Sequence, residues 1–414
     1  MIAGESEQAL HDDVFQSFAP KHATPGKVTG IPKKTWKPWH MPRKQWIRSL
    51  QWNAQIGQLI KELDLVDRPL RYLSLPGEDL LDIRVIRELC EKKRIKLRFL
   101  GFDNGSYSPG SETEINISKS EVFYSPTIFP GSDIKKDDFA MISDVNSVAY
   151  KEAKDHGPYD IINLDLCDCF SRAEEPSYYA ALLTLINIQV RERTQPWLFF
   201  LTTRADRTEV NQDDLPHHWS CLRNNVQLSD AFKARLNSLL DDRFDQINGN
   251  IQVLRSLGQV PFGRLFALCI GKWLVRLMLS GSPLWVTEML DGYWYRVSSA
   301  KTPNMLSLAF RFHQVTEPRS DDSGLTGPQQ VPAEEVDEPA LAIALFEKAE
   351  ALVDIDTLLM DSPSMRKQMV QESIELLGSA RYPITEYPVW ADKKEKQLHK
   401  RLVRLNPERK HGKS

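Results

Sequence analysis

The sequence has 414 residues, a formal net charge of −3 at pH 7 and 41% hydrophobic residues. This length suffices for two or three domains, and the near-neutral charge points neither toward nor away from a nucleic-acid partner. No stretch reaches the roughly 20 apolar residues of a membrane span, and the polar first residues do not form a secretory signal. We therefore expect a cytoplasmic protein with no membrane partner.

The N-terminal region divides into a polar tail and a segment rich in tryptophan and cations. Residues 1–30 have no sustained hydrophobic period, which predicts disorder, and 31–66 become helical after Pro42. Cations neutralise phosphates and aromatic rings stack on bases, so the mixture is typical of a nucleic-acid surface. Its candidate residues are Lys37, Trp39, Arg43, Lys44, Trp46 and Arg48. The alternative is that the tryptophans pack on the core while the cations stay solvated.

Between residues 67 and 315, strands and helices alternate, which predicts an α/β domain with a mostly parallel sheet and flanking helices. Strands are predicted over 70–75, 96–102, 159–164 and 197–202, and helices over 79–92, 144–155, 178–191 and much of 226–280. Residues 105–137 are predicted to be loop-rich, with short β-prone pieces at 122–124 and 127–129. Two β-rich runs, 284–297 and 305–313, predict an antiparallel hairpin at the C-terminal end of the domain.

The remaining chain is predicted to be a linker and a helical appendage. Residues 316–337 are rich in acidic residues, proline and glycine, as expected of a linker, and 338–414 are helical with a basic tail. Ser362 and Pro363 suit the N-cap and first turn of a second helix there. These C-terminal helices are the candidate contact for a protein partner.

Polar and flexible residues follow three of the predicted parallel strands, where open α/β sheets bind ligands. The first strand runs into Ser74, Pro76 and Gly77, the second ends at Asp103, and the strand over 159–164 carries two candidates. These last two are Asn163 and Asp165, in the segment IINLDLCD.

This arrangement resembles the class I S-adenosylmethionine-dependent methyltransferases. The resemblance implies that Ser74, Pro76, Gly77 and Asp103 bind the cofactor, with Asp103 on the ribose hydroxyls. It also implies that Asn163 and Asp165 face the substrate as the catalytic residues. The glycine loop departs from the family, because Gly77 is its one glycine, Pro76 stands where a glycine is expected, and Ser74 replaces the usual strand acid.

The segment around Asp165 is similar to the DLDP-type segments of some RNA methyltransferases and of the three-Cys-motif partner proteins. Leu166 replaces the proline of that pattern and Asp168 the following glycine. The implied function is methylation of a nucleic acid. The degenerate glycine loop favours the alternative, a catalytically inactive binding or assembly subunit. A further resemblance to proteins of bacterial mobile-element and phage-defence operons suggests such a setting.

Acidic residues and cysteines near these strand ends raise further hypotheses. Glu78 and Asp79 would repel an anionic ligand, which disfavours a phosphate-binding loop. Five scattered cysteines predict reduced thiols. Cys167 could be a thiolate nucleophile, as in cytosine-C5 methyltransferases, but Leu166 stands where those enzymes have proline. A metal site built from Cys167, Cys169 and the pair His217-His218 lacks ligand spacing, so we favour small buried residues and no metal.

Overall fold

A computed structural model describes residues 34–104, 111–173, 175–297, 300–315 and 336–405. The predicted N-terminal tail, the linker and the last nine residues lie outside these ranges, apart from the two residues 336 and 337. The strands are β1 (Leu70–Ser74), β2 (Leu97–Phe102), β3 (Asp133–Lys135), β4 (Ile161–Asp165), β5 (Trp197–Arg204), β6 (Trp285–Met289), β7 (Tyr293–Tyr295), β8 (Met305–Gln314) and β9 (Val353–Asp354).

These strands form one mixed sheet in the order β3-β2-β1-β4-β5-β8-β7-β9, with β6 paired to β8 outside that path. Strands β1 to β5 are parallel, whereas β8 runs antiparallel to β5, β6 and β7. The predicted α/β class, the mostly parallel sheet and the antiparallel C-terminal strands are therefore confirmed. Because the chain passes from β1 outward to β3 and then returns to β4 and β5 on the other side, the order reverses between β1 and β4.

Helices flank the sheet on both faces. They are α1 (Pro42–Trp46), α2 (Asn53–Glu62), α3 (Leu81–Lys93), α4 (Ser111–Phe123), α5 (Val148–His156), α6 (Tyr178–Glu192), α7 (Leu215–Leu228), α8 (Asp230–Leu239), α9 (Phe244–Gly249), α10 (Gln259–Leu279), α11 (Glu338–Glu350), α12 (Ile355–Asp361), α13 (Pro363–Ser379) and α14 (Tyr387–Leu405). A π-helical segment, Ile47–Trp52, joins α1 to α2. Across the described ranges, none of these helices is long and apolar enough to cross a membrane.

The parallel strands are buried on both faces, as their nearly continuous apolar sequences predict. On one face, the strands pack against α5, α6 and the apolar α10 in the largest hydrophobic cluster. On the other face, they pack against α2, α3 and α12 in a second cluster, which includes the fully buried Trp52. The site described below lies where these two layers meet the ends of the strands.

Two stretches differ from the sequence prediction. Residues 111–123 form α4 where loop was expected, because Ile115, Ser118 and Val122 are the clearly buried positions among residues 113–123 and give too sparse a pattern. The predicted run 284–297 is broken into β6 and β7. A Cβ at Gly292, between them, would lie 2.6 Å from Cδ2 of Leu352, so a larger residue there would displace that side chain.

A buried ionic cluster fixes the amino end of β4. Asp160 is fully buried, and its carboxylate accepts from Arg68 at 2.8 and 3.0 Å and from Arg193 at 2.8 Å. The backbone N–H of Arg71 donates to the same carboxylate at 2.7 Å, which ties β1 to β4. Removing one partner of such a cluster leaves the other charges buried and unpaired.

We expect Asp160→Asn to destabilise the protein by about 3–5 kcal/mol, because two guanidinium groups lose their counter-charge. The free energy of unfolding in urea measures this loss. Asp67→Asn is the control, since Asp67 is exposed and should change stability by less than about 0.5 kcal/mol. Equal stability of the two variants would contradict the assigned role of Asp160.

Candidate ligand site at the carboxyl ends of the strands

A cavity of about 700 Å³ lies at the carboxyl ends of β1, β2, β4 and β5. Its position is the reversal of strand order between β1 and β4, where open α/β sheets bind ligands. Its volume is in the range of small-molecule sites. Predicted site residues in the lining are Pro76, Gly77, Asp103 and Asp165 from the strand ends, and Lys37, Trp39, Lys44 and Arg48 from the N-terminal segment.

The loop after β1 forms one wall of the cavity. A Cβ added to Gly77 would meet no atom within 4 Å, so the backbone there borders open space. Leu80, at the start of α3, has φ 52° in the left-handed region, which a leucine adopts at a cost of roughly 1–3 kcal/mol. Backbone strain of this kind is concentrated at ligand sites.

Pro76, which stands where the resemblance implies a glycine, fits because its neighbour in β2 is a glycine. A Cβ at Gly101 would lie 2.7 Å from Cγ and 3.0 Å from Cδ of Pro76. The proline ring therefore occupies the space of a missing side chain on β2. Gly101 in the adjacent strand thus makes room for Pro76 in the loop, and the loop stays open at Gly77.

We expect Gly101→Ala to destabilise the protein by about 1–3 kcal/mol, because the new methyl group overlaps the Pro76 ring. Pro76→Gly in the same chain should recover most of that loss by removing the overlapping atoms. A double-mutant cycle of urea unfolding free energies measures the coupling. Additive effects of the two substitutions would show that the contact does not shape this loop.

Ser74 and Asn163 lie beneath the cavity and do not line it. Each is 1% exposed, and they are register partners in β1 and β4. The Asn163 amide donates to the Tyr72 hydroxyl at 2.9 Å, and that hydroxyl donates to Asp82 at 3.0 Å. Burial raises the pKa of Asp82, which lines the cavity. The structure thus places Asn163 in a buried polar chain under the site, because its side chain points into the sheet layer.

Asp165 lines the cavity at the end of β4 and is paired with a lysine. Lys44 Nζ lies 2.5 Å from Asp165 Oδ1, 3.4 Å from the Thr202 hydroxyl and 4.8 Å from the centre of the Trp52 ring. Burial lowers the pKa of Lys44, and the Asp165 carboxylate opposes that shift. The Asp165 side chain is 24% exposed, so one edge of the carboxylate faces the cavity.

Three of the six residues predicted for a nucleic-acid surface in the N-terminal segment are buried. Lys44, Trp46 and Arg48 are buried, with 2%, 6% and 4% of their surface exposed. The Trp46 ring packs against Tyr293 with ring centres 4.4 Å apart, because the segment lies between the sheet and α13. Arg43 donates to Asp356 at 2.8 Å. Lys37 and Trp39 are exposed at the rim of the cavity.

The C-terminal helices hold the loop after β1, a role that the sequence pattern did not reveal. Asp79 accepts from Tyr382 at 2.6 Å and from Lys34 at 2.5 Å. The Tyr387 hydroxyl donates to the carbonyl of His40 at 2.6 Å. More than 300 residues separate Asp79 from Tyr382 in sequence, so no local spacing signals the contact.

His40 lies buried behind the wall that Lys37 and Arg48 form. Its Nδ1 accepts from the backbone N–H of Lys37 at 3.0 Å. Burial, and next the charge of Arg48, lowers the pKa of His40 from 6.5 to about 3. The imidazole is therefore neutral in the folded protein across the physiological range, whereas it takes up a proton in the unfolded chain near pH 6.5.

We expect His40 to make the protein less stable as the pH falls from 6.5 toward 3, because only the unfolded chain binds the proton in that range. The loss between pH 7.5 and pH 5 should be about 2 kcal/mol. His40→Asn, whose amide oxygen can replace Nδ1 as acceptor, should remove it. The measurement is urea unfolding at both values, and the exposed control His399→Asn should keep the full loss.

Cys169 is buried as predicted, whereas Cys167 is exposed and the prediction of a buried residue is wrong there. Cys167 lines the cavity, and partial desolvation, followed by the Asp165 charge, raises the pKa of its thiol. A raised pKa disfavours the thiolate that a nucleophile requires. All five cysteines are free thiols. In the described part of the chain, no three His, Cys, Asp or Glu side chains are grouped as metal ligands.

A comparison with protein families finds one match over most of the chain. A family model described as PP_RS20740-like matches residues 33–392. This range includes all nine strands and every residue of the cavity lining. No curated protein matches the chain.

Proposed function

The chain belongs to the PP_RS20740-like family, and we propose that it binds S-adenosylmethionine in the strand-end cavity and methylates an acceptor there. One observation carries the proposal: Gly77, Asp103 and Asp165 come from three different strand ends and line the same cavity. These are residues that the methyltransferase resemblance assigns to the cofactor and the acceptor. The reversal of strand order at this cavity supports a ligand-binding role independently of that resemblance.

The residues around β1 and β2 fit the cofactor. The open space at Gly77 would let the backbone approach a ligand, and Asp103 at the end of β2 offers a carboxylate to the ribose hydroxyls. Because the Pro76 ring occupies the space left by Gly101, this part of the cavity stays accessible. When bound, S-adenosylmethionine supplies an electrophilic methyl group.

Asp165 and Lys44 would act on the acceptor side. Lys44 holds Oδ1 of Asp165, and among the described residues none donates to Oδ2. Oδ2 can therefore accept a hydrogen bond from the acceptor and take the proton that its nucleophilic atom releases. Most of the catalytic effect would come from holding the acceptor in line with the methyl group. A nucleic-acid acceptor would meet Lys37 and Trp39 at the rim.

A catalytically inactive binding or assembly subunit is the second candidate. It is favoured by Pro76, which replaces a glycine of the methyltransferase loop, and by the contacts that Asp79 makes with Lys34 and Tyr382. These contacts join the N-terminal segment, the loop and the C-terminal helices into one wall. A place in a mobile-element or phage-defence system stays a prediction in either case.

Calorimetric titration with S-adenosylmethionine and S-adenosylhomocysteine tests the proposal. We expect saturable binding that Gly77→Val and Asp103→Asn each weaken by about tenfold or more, since one fills the cavity and the other removes a charged acceptor. Gly249→Val is the matched control, because a Cβ there also meets nothing within 4 Å and Gly249 lies outside the cavity.

Thermal unfolding of the three variants shows whether a loss of binding comes from a blocked site or from a damaged fold. Gly77→Val should unfold at the temperature of the wild type, because its side chain enters open space. Absence of binding by the wild type at millimolar cofactor would reject the methyltransferase proposal and leave the inactive subunit as the working function.

A further inference from the structure

Arg48 is a buried cation in the cavity wall that has no acidic partner. It is 4% exposed and lines the cavity. Its hydrogen bond is from Nη2 to the carbonyl of Trp39 at 3.2 Å, and its buried Nε has no acceptor. Within the described ranges Arg48 forms no ion pair, whereas the other buried arginines Arg84, Arg193 and Arg296 each pair with a carboxylate.

The two acids that act most on Arg48 each have another hydrogen-bond partner. Asp165 is the acid whose charge acts most on Arg48, and its Oδ1 is held by Lys44 at 2.5 Å. Asp82 acts next, and it accepts from Tyr72 at 3.0 Å. Neither acid comes within ion-pair distance of the guanidinium. Arg48 therefore keeps a positive charge and free N–H donors beside the cavity.

A buried charge without a counter-charge destabilises a folded protein. Such a residue is explained when a ligand supplies the counter-charge, and a guanidinium suits the paired oxygens of phosphates and carboxylates. Arg48 is on the acceptor side of the cavity, since Asp165 in β4 is the acid whose charge acts on it most and Tyr295 in β7 lines the same cavity. Gly77 and Asp103 form the other side, at β1 and β2.

We propose that Arg48 binds an anionic group of the acceptor, a phosphate or a carboxylate, so that the substrate is an anionic molecule. That the anionic molecule is the methyl acceptor rests on the proposed function. The anion site itself depends only on Arg48 and its unpaired donors. Tyr295, which lines the same wall, offers a hydroxyl as a second donor to the anion.

The test is the thermal unfolding of the full chain in rising inorganic phosphate or acetate, with sodium chloride holding the ionic strength constant. The wild type should gain thermal stability with one or both anions. Arg48→Met should weaken the response by about tenfold or more and should be as stable as the wild type without anion, or more stable. Arg311→Met is the control, because it removes the same charge at a residue that lies outside the cavity and pairs with Glu62.

The two anions distinguish the sources of the charge. A response to phosphate alone identifies a phosphate-bearing acceptor, and a response to acetate alone a carboxylate. Should Arg48→Met fold poorly, Arg48→Lys keeps the charge without the planar donor pair and should weaken the response several-fold. A wild type that responds to neither anion, or an Arg48→Met protein that responds as the wild type does, would overturn the proposal.

Titration with S-adenosylhomocysteine separates this inference from the proposed function. Unchanged affinity in Arg48→Met supports the acceptor assignment, whereas a parallel loss would overturn it by assigning Arg48 to the cofactor. An anion response that depends on Arg48 in a protein that binds no S-adenosylhomocysteine would keep the anion site and reject methyl transfer.

Discussion

The ion pair between Lys44 and Asp165 connects the N-terminal segment to the carboxyl end of β4, and the wall of the cavity depends on it. Replacing either partner by an apolar residue would leave the other charge in the cavity wall without its partner, which is strongly unfavourable for the buried Lys44. The pair thereby fixes the position of Arg48, one turn further along the same helical stretch. Gln51 continues the stripe and donates to the carbonyl of Ser307 at 3.0 Å. Residues 44, 48 and 51 thus form a polar stripe that faces the sheet.

This inward polar stripe explains why the sequence did not reveal that cations of the N-terminal segment are buried, although it predicted the strands. Strands β1, β2, β4 and β5 are nearly continuous apolar runs, and such runs have one stable location, inside a parallel sheet. In the N-terminal segment, the spacing predicts a helix but leaves open which face is buried. Trp46 and Lys44 are both buried, one toward α13 and one toward the strand ends. A cation is recognised as buried only when its partner is known, and Asp165 is 121 residues away.

The contacts of the C-terminal helices could not be predicted from the sequence either, because their partners are also far away along the chain. Arg84, in α3, donates to the carbonyl of Ser379 at 2.7 Å and to Glu121 of α4 at 2.5 Å, so three elements meet at one guanidinium. The sequence of α4 has few buried positions, and its helix is stabilised by these distant partners rather than by an apolar stripe. Helix α13 begins at Pro363 as expected, because a first-turn proline is a local signal, although the Ser362 side chain makes no capping hydrogen bond. Its packing against α1 and α3 has no local signal.

Three unfavourable features lie in or behind the wall of this cavity. Leu80 has a left-handed backbone, Arg48 is a buried cation without an acid, and His40 is a buried base that cannot take up a proton near neutral pH. An inert assembly subunit would gain stability by replacing such residues with apolar ones, and nothing in its role would oppose the exchange. Conflicts between local preference and global fold persist where a site requires them. The unpaired Arg48 in the cavity wall, in contrast to the satisfied cluster at Asp160, therefore favours a ligand-binding site over a surface used for assembly alone.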